Sequence, residues 1–156
     1  MKILSVSDVV VDIINSPLIA KRFGDVDCVL SCGDLSLEYM DYIVSMLNKP
    51  MYFVYGNHAQ HAVVTLDGSV VTEAQGCINI HRSIVHCNGV LIAGLEGSMR
   101  YNDGPHQYSD AEMAWQIRRL TPRLWWNERR YSRGVDILIT HAPPLGIHDG
   151  EDLCHR

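Results

Sequence analysis

Four apolar runs in this chain each stop at a polar turn, and this arrangement restricts the available folds more than any other feature. Ile3-Leu4-Ser5-Val6-Ser7 runs into Asp8, and Cys28-Val29-Leu30-Ser31-Cys32 runs into Gly33-Asp34. Met51-Tyr52-Phe53-Val54-Tyr55 runs into Gly56-Asn57-His58, and Val135-Asp136-Ile137-Leu138-Ile139-Thr140 runs into His141. Short runs rich in Val, Ile and Tyr and bounded by Gly or Asp read as buried strands. Ligands in open α/β sheets collect beyond the carboxyl ends of such strands. Asp8, Asp34, Asn57 and His141 are thus expected around one crevice, with His58 beside them. Carboxylate, amide oxygen and imidazole suit Mn, Fe, Zn or Mg better than a thiolate-loving metal. The glycines before Asp34 and Asn57 let the backbone turn sharply next to a small ligand. Singly, each residue also has a purely structural reading: Asp8 capping a turn, Asp34 capping a helix that starts near Ser36, Asn57 in a left-handed turn, His141 packed on Pro143. A shared site requires all of them to be neighbours in space.

Between these turns the pattern alternates strand and helix. Ser16-Pro17 opens a helix, with Ser16 as N-cap and Pro17 at the first helical position, running to about Phe23 and stopped by Gly24. Val9-Val10-Val11 just before it reads as a rigid apolar wall. A second helix is expected from about Leu37 to Leu47, with Met40, Ile43, Val44 and Leu47 on one face. Strand–helix–strand–helix–strand implies parallel pairing with right-handed crossovers. Val63-Val64 and Val70-Val71 suggest a small hairpin around Asp67-Gly68. Ser83 to Cys87, Asn88-Gly89 and Val90 to Gly94 form a clear hairpin with a two-residue turn. That antiparallel pair breaks the alternation and suggests a second sheet on the first. Ser109-Asp110-Ala111-Glu112 is a capping box opening a helix whose apolar face is Met113, Ile117 and Leu120. Pro122 interrupts that helix or restarts a second one. Trp125 and Trp126 among several arginines admit a nucleic-acid reading. The preferred expectation is tryptophans packed inward and arginines solvated.

A chain of 156 residues is one domain, here 1–156, long enough to build its own core. Its net charge of −5 argues against a nucleic-acid surface, though not against phosphate substrates beside a bound metal. No secretory pattern and no membrane-length apolar run occur, so a soluble, cytoplasmic protein with no membrane partner is expected. The five cysteines, Cys28, Cys32, Cys77, Cys87 and Cys154, include no C-x-x-C pair and read as free thiols.

The ordered set Asp8, Gly33-Asp34, Gly56-Asn57-His58 and His141 resembles the calcineurin-like metallophosphoesterases, which carry D-x-H, G-D, G-N-H plus an acid, a lone His after a strand, and G-H-x-H. Thr140-His141-Ala142-Pro143-Pro144-Leu145-Gly146 is similar to the T-H-x-P-P-x-G version of one intracellular branch. Val10 stands where the family has the His of D-x-H, Ala59 replaces the acid after G-N-H, and no G-H-x-H follows, so the chain reads as short at its C-terminal end. The resemblance implies an α/β fold, a two-sheet β-sandwich of mixed sheets flanked by helices. It implies one metal held by Asp8 and Asp34 and another held by Asp34, Asn57 and His141, each set lacking family partners, and hence weak or single occupancy. His148, Asp149 and His155 either compensate or form a polar loop. The implied activity is metal-dependent hydrolysis of a phosphodiester or nucleotide-like phosphoester, with His58 as general acid. The alternative is a weakened or inactive nucleotide- or phosphate-binding module of the same fold. Arg100, following the second hairpin, is a candidate phosphate clamp, or else a surface salt bridge. The expected partner is a small phosphoester, with self-association over the last strand as a further expectation.

Overall fold

Alternate residues of the central strands face two different cores, and this sets the layer order. The computed structural model describes residues 1–58, 63–64, 70–72, 74–144 and 146–147. In chain order the elements are β1 (Ile3–Val6), α1 (Leu18–Phe23), β2 (Cys28–Ser31), α2 (Leu37–Leu47), β3 (Met51–Phe53), β4 (Val63–Val64), β5 (Val70–Val71), β6 (Cys77–Asn79), β7 (Ser83–Cys87), β8 (Val90–Leu95), β9 (Ser98–Met99), β10 (Gln107–Tyr108), α3 (Asp110–Tyr131) and β11 (Ile137–Thr140).

A four-stranded sheet has the order β1-β2-β3-β6 and is parallel throughout. A three-stranded sheet, β11-β8-β7, is mixed: β7 and β8 are antiparallel, β8 and β11 parallel. Val29, Met51 and Phe53 point to one core, with Ile19 of α1 and Met40 and Ile43 of α2. Their neighbours Cys28, Leu30 and Tyr52 point to the other, against Cys87, Ile92 and Ile139 of the second sheet. The far side of that sheet meets α3 through Ala93, Leu95 and Leu120. The result is four layers: helices, sheet, sheet, helix. This is the two-sheet sandwich with flanking helices that the sequence implied.

Local expectations hold at several elements. The second helix spans Leu37–Leu47, with the Ser36 hydroxyl accepting from the Tyr39 N–H. The Asn88-Gly89 hairpin pairs Cys87 with Val90. Val63 pairs with Val71 and Val64 with Val70, whereas Asp67-Gly68 lies outside the described residues. Four cysteines are free and Cys154 is outside the described residues. Burial pushes the Cys28 and Cys77 thiols up to about 12, which keeps them protonated and inert. Among the described residues no helix is long and apolar enough to cross a membrane.

Other expectations need correction. Pro17 is the N-cap of α1 rather than its first helical residue, and Ser16 supplies the carbonyl that accepts from the Ile19 N–H. The valines at 9–11 face solvent. Pro122 neither interrupts nor restarts a helix, because α3 is continuous across it. Proline deprives the Arg118 carbonyl of its partner, but Arg118 is exposed and water can serve that oxygen. The tryptophans do not pack inward. Trp115, Trp125 and Trp126 are 46, 62 and 60% exposed, and Ile117 is half open as well. Only a thin stripe of α3 is buried, centred on Gln116 and Leu120. Consecutive Trp125 and Trp126 fall outside it, and the sheet beneath presents Ala93 and Leu95 to leucines rather than to indoles.

Candidate functional site

The loops that leave β1, β2, β3 and β11 meet at one end of the two sheets. Asp8 and Asp34 both adopt left-handed backbone conformations, with φ of 59° and 56°. Asp tolerates this region better than most residues, and such outliers concentrate at functional sites. The Asp8 N–H donates to the Gly33 carbonyl at 3.1 Å, tying the first two loops together. Gly33 (φ 107°) and Gly56 lie back to back under the His141 ring. A Cβ on Gly56 would fall 2.1 Å from Asp34 Oδ1 and 2.7 Å from His141 Cε1, so the fourth loop docks only because these positions carry no side chain.

His141 is anchored from behind. Its Nδ1 lies 2.9 Å from the Cys32 carbonyl oxygen. A carbonyl can only accept, so Nδ1 carries a proton here, and the tautomer protonated at Nδ1 alone presents its Nε2 lone pair forward. Nε2 faces Asn57 Oδ1 at 3.0 Å and Asp34 Oδ2 at 3.3 Å. The Asn57 amide is oriented by its other end, since Nδ2 donates to the Tyr101 hydroxyl at 2.7 Å. In that tautomer three lone-pair atoms, His141 Nε2, Asn57 Oδ1 and Asp34 Oδ2, converge on one point. Ligand atoms of Asp8, Asp34 and His141 also lie within 4.8 Å of one another. The Asp34 and His141 side chains are about one-tenth exposed and Asn57 is buried, while Asp8 is open to solvent. Such a set of oxygens and one nitrogen fits a divalent cation of the Mn, Fe, Zn or Mg kind.

His58 stands at the mouth. Its backbone N–H donates to Asp34 Oδ1 at 2.9 Å, and its Nε2 lies 3.2 Å from the Tyr101 hydroxyl. Ser36, not Asp34, caps α2, so the Asp34 carboxylate is left to His58 and His141. Cys32 contributes its carbonyl, and burial, with the Asp8 charge adding to it, pushes its thiol above the usual range. The structure thus brings Asp8, Asp34, Asn57, His58 and His141 together. Arg100 instead forms the surface ion pair, its Nη2 lying 3.0 and 2.9 Å from the two Glu112 oxygens and 3.3 Å from the Gln107 carbonyl. His148, Asp149 and His155 lie outside the described residues.

Two features escaped the sequence reading. Tyr101 bridges Asn57 and His58 from a loop more than forty positions away, without any spacing signal. Buried Glu96 supports the site from below, accepting from the Tyr108 hydroxyl at 2.7 Å and lying 3.0 Å from His106 Nδ1. The His106 ring stacks on Tyr55 at 4.9 Å, just ahead of Gly56-Asn57-His58. The Gly97 N–H donates to the Tyr55 carbonyl and the Gly97 carbonyl accepts from the Ala142 N–H, so this buttress reaches the His141 loop as well.

A family model described as calcineurin-like phosphoesterase matches residues 1–156. No curated protein matches the chain.

Proposed function

From the premise that this chain belongs to the calcineurin-like phosphoesterase family, we propose that it is a metal-dependent hydrolase of a phosphodiester or nucleotide-like phosphoester. The observation that carries this reading is the convergence of Asp34, Asn57 and His141 from three separate loops, with His141 Nε2 3.0 and 3.3 Å from the two oxygens. Asp34, Asn57 and His141 would hold one ion, and Asp8 with Asp34 would contribute to a second. When bound, a divalent ion supplies Lewis acidity toward a phosphoryl oxygen and toward water.

The chain's own residues do the rest. The Cys32 carbonyl keeps His141 in the tautomer whose Nε2 can ligate. Asn57 ligates through a neutral oxygen, which preserves positive charge for the phosphate. His58 delivers a proton to the leaving-group oxygen. Its Nε2 is held at the Tyr101 hydroxyl, so Nδ1 is the nitrogen left for that transfer. In family members an acid follows G-N-H; here that position is Ala59, and the Tyr101 hydroxyl orients the His58 ring.

The test is hydrolysis of an aryl phosphodiester under Mn²⁺ titration. Turnover should rise with Mn²⁺ and vanish with chelator, and His58→Ala should lower kcat about 100-fold or more. Val10 and Ala59 favour a second reading, a phosphate- or nucleotide-binding module of the same fold. Nucleotide binding without turnover at any metal concentration would establish the module and sink the enzyme.

A further inference from the structure

The outward face of α3 is unlike the rest of the surface. Trp115, Arg118, Arg119, Trp125, Trp126 and Arg129 recur at the three- and four-residue spacing that lines up one side of a helix. That side is opposite the buried Gln116 and Leu120. All six are exposed, and the stripe from Trp115 to Arg129 is about 21 Å long. Arg119 lies over the Trp115 ring at 4.1 Å and Arg82 at 5.9 Å, so guanidinium and indole already share one surface. Trp125 and Trp126 are the most open indoles. Among the described residues none of Arg118, Arg119 and Arg129 makes an ion pair.

Charge is concentrated here as well. Residues 115–133 hold six of the chain's thirteen Lys and Arg and only one of its eighteen Asp and Glu, namely Glu128. The overall charge of −5 is therefore a poor guide to this face, because exposed charges are screened beyond about 10 Å at ordinary salt.

We propose that the outer face of α3 binds single-stranded nucleic acid, with bases stacked on Trp125 and Trp126 and phosphates on Arg118, Arg119 and Arg129. Open aromatic rings interleaved with unpaired cations are the combination that non-sequence-specific single-strand binders use. A membrane surface fits less well. Interfacial helices separate an apolar face from a basic one, whereas here indole and guanidinium share one stripe, so the tryptophans cannot sink without the arginines. A second copy fits less well too, because a two-fold contact through this face would set like charges against each other. The proposal does not depend on the metal site.

The experiment is anisotropy of a fluorescein-labelled oligothymidylate of about 20 nucleotides titrated with the full chain in chelator, so that the metal site contributes nothing. Saturable binding with quenching of tryptophan emission is expected, weakening about tenfold or more between ~50 and ~200 mM salt for some three phosphate contacts. The double variant Trp125→Ala/Trp126→Ala should weaken binding about tenfold or more with the salt slope unchanged. The pair Arg118→Gln/Arg129→Gln should flatten the slope. These side chains are exposed, so circular dichroism should find both variants folded. Absence of saturable binding at the lower salt overturns the proposal, as does binding that both variants leave intact. So does preferential binding to phosphatidylglycerol vesicles with a blue shift of the indole emission, or a dimer by sedimentation that both variants dissolve.

Discussion

Gly56 has no room for a methyl group. Its missing Cβ is the space in which Asp34 Oδ1 and His141 Cε1 sit. Gly56→Ala should therefore cost about 1–3 kcal/mol of stability through overpacking. It should weaken Mn²⁺ binding more than that figure suggests, because the displaced atoms belong to two of the proposed ligand residues. Calorimetric Mn²⁺ titration beside a denaturation curve measures both effects, and unchanged metal affinity would remove Asp34 and His141 as ligands. Tyr101→Phe deletes the hydroxyl that serves both Asn57 and His58. It should lower kcat about tenfold, less than the roughly 100-fold or more that proton transfer itself contributes, because His58 remains in place. It should leave Tm within a few degrees. A flat response would make Tyr101 a bystander. Gly56-Asn57-His58 was legible because its three functions lie in adjacent letters. Tyr101 was not legible, because a hydrogen bond across forty-odd positions leaves no local trace.

The elements reproduce their sequence signals where those signals are local. Ser36 and Ser109 cap α2 and α3, with Glu112 completing the capping box of α3, and Asn88-Gly89 turns the hairpin. The segment that enters the hairpin holds a pH-sensitive element. His81 lies against Glu96, accepting from its backbone N–H through Nδ1 at 3.1 Å. Burial pushes the His81 ring below the ordinary histidine value despite the attraction of the Glu96 carboxylate. The folded ring is therefore neutral where the unfolded ring begins to take up a proton. The unfolded state binds more protons, so stability is full above the ordinary value of about 6.5 and falls as pH drops through it, levelling once the folded ring protonates. Tm measured between about pH 7.5 and 5.5 should decline, and His81→Gln should flatten that decline. Equal slopes in the two proteins would rule His81 out. At α3, by contrast, the signals misled. Leucine, tryptophan and arginine crowd one segment, and periodicity alone does not say which of two apolar stripes meets the sheet.

At the scale of the whole molecule the two sheets must pack for the four loops to meet. Ile92, fully buried between them, joins Leu30, Tyr52 and Ile139 in the shared core. Ile92→Ala should cost about 2–5 kcal/mol in equilibrium unfolding and should loosen metal binding with it. A loss below about 1 kcal/mol would mean that the sheets are not held together there. By itself the sequence determined the strands that end in the four polar turns, the Asn88-Gly89 hairpin, most helix ends and the identity of the converging residues, but not β6, β9 or β10, because caps, turns and strand-ending glycines act within a few residues of themselves. Tertiary structure alone decided that α3 runs through Pro122, that its tryptophans face outward, and that Tyr101 and Glu96 complete the site. Those outcomes depend on which surfaces remain once the sheets have closed, and that competition is settled between parts of the chain far apart in sequence.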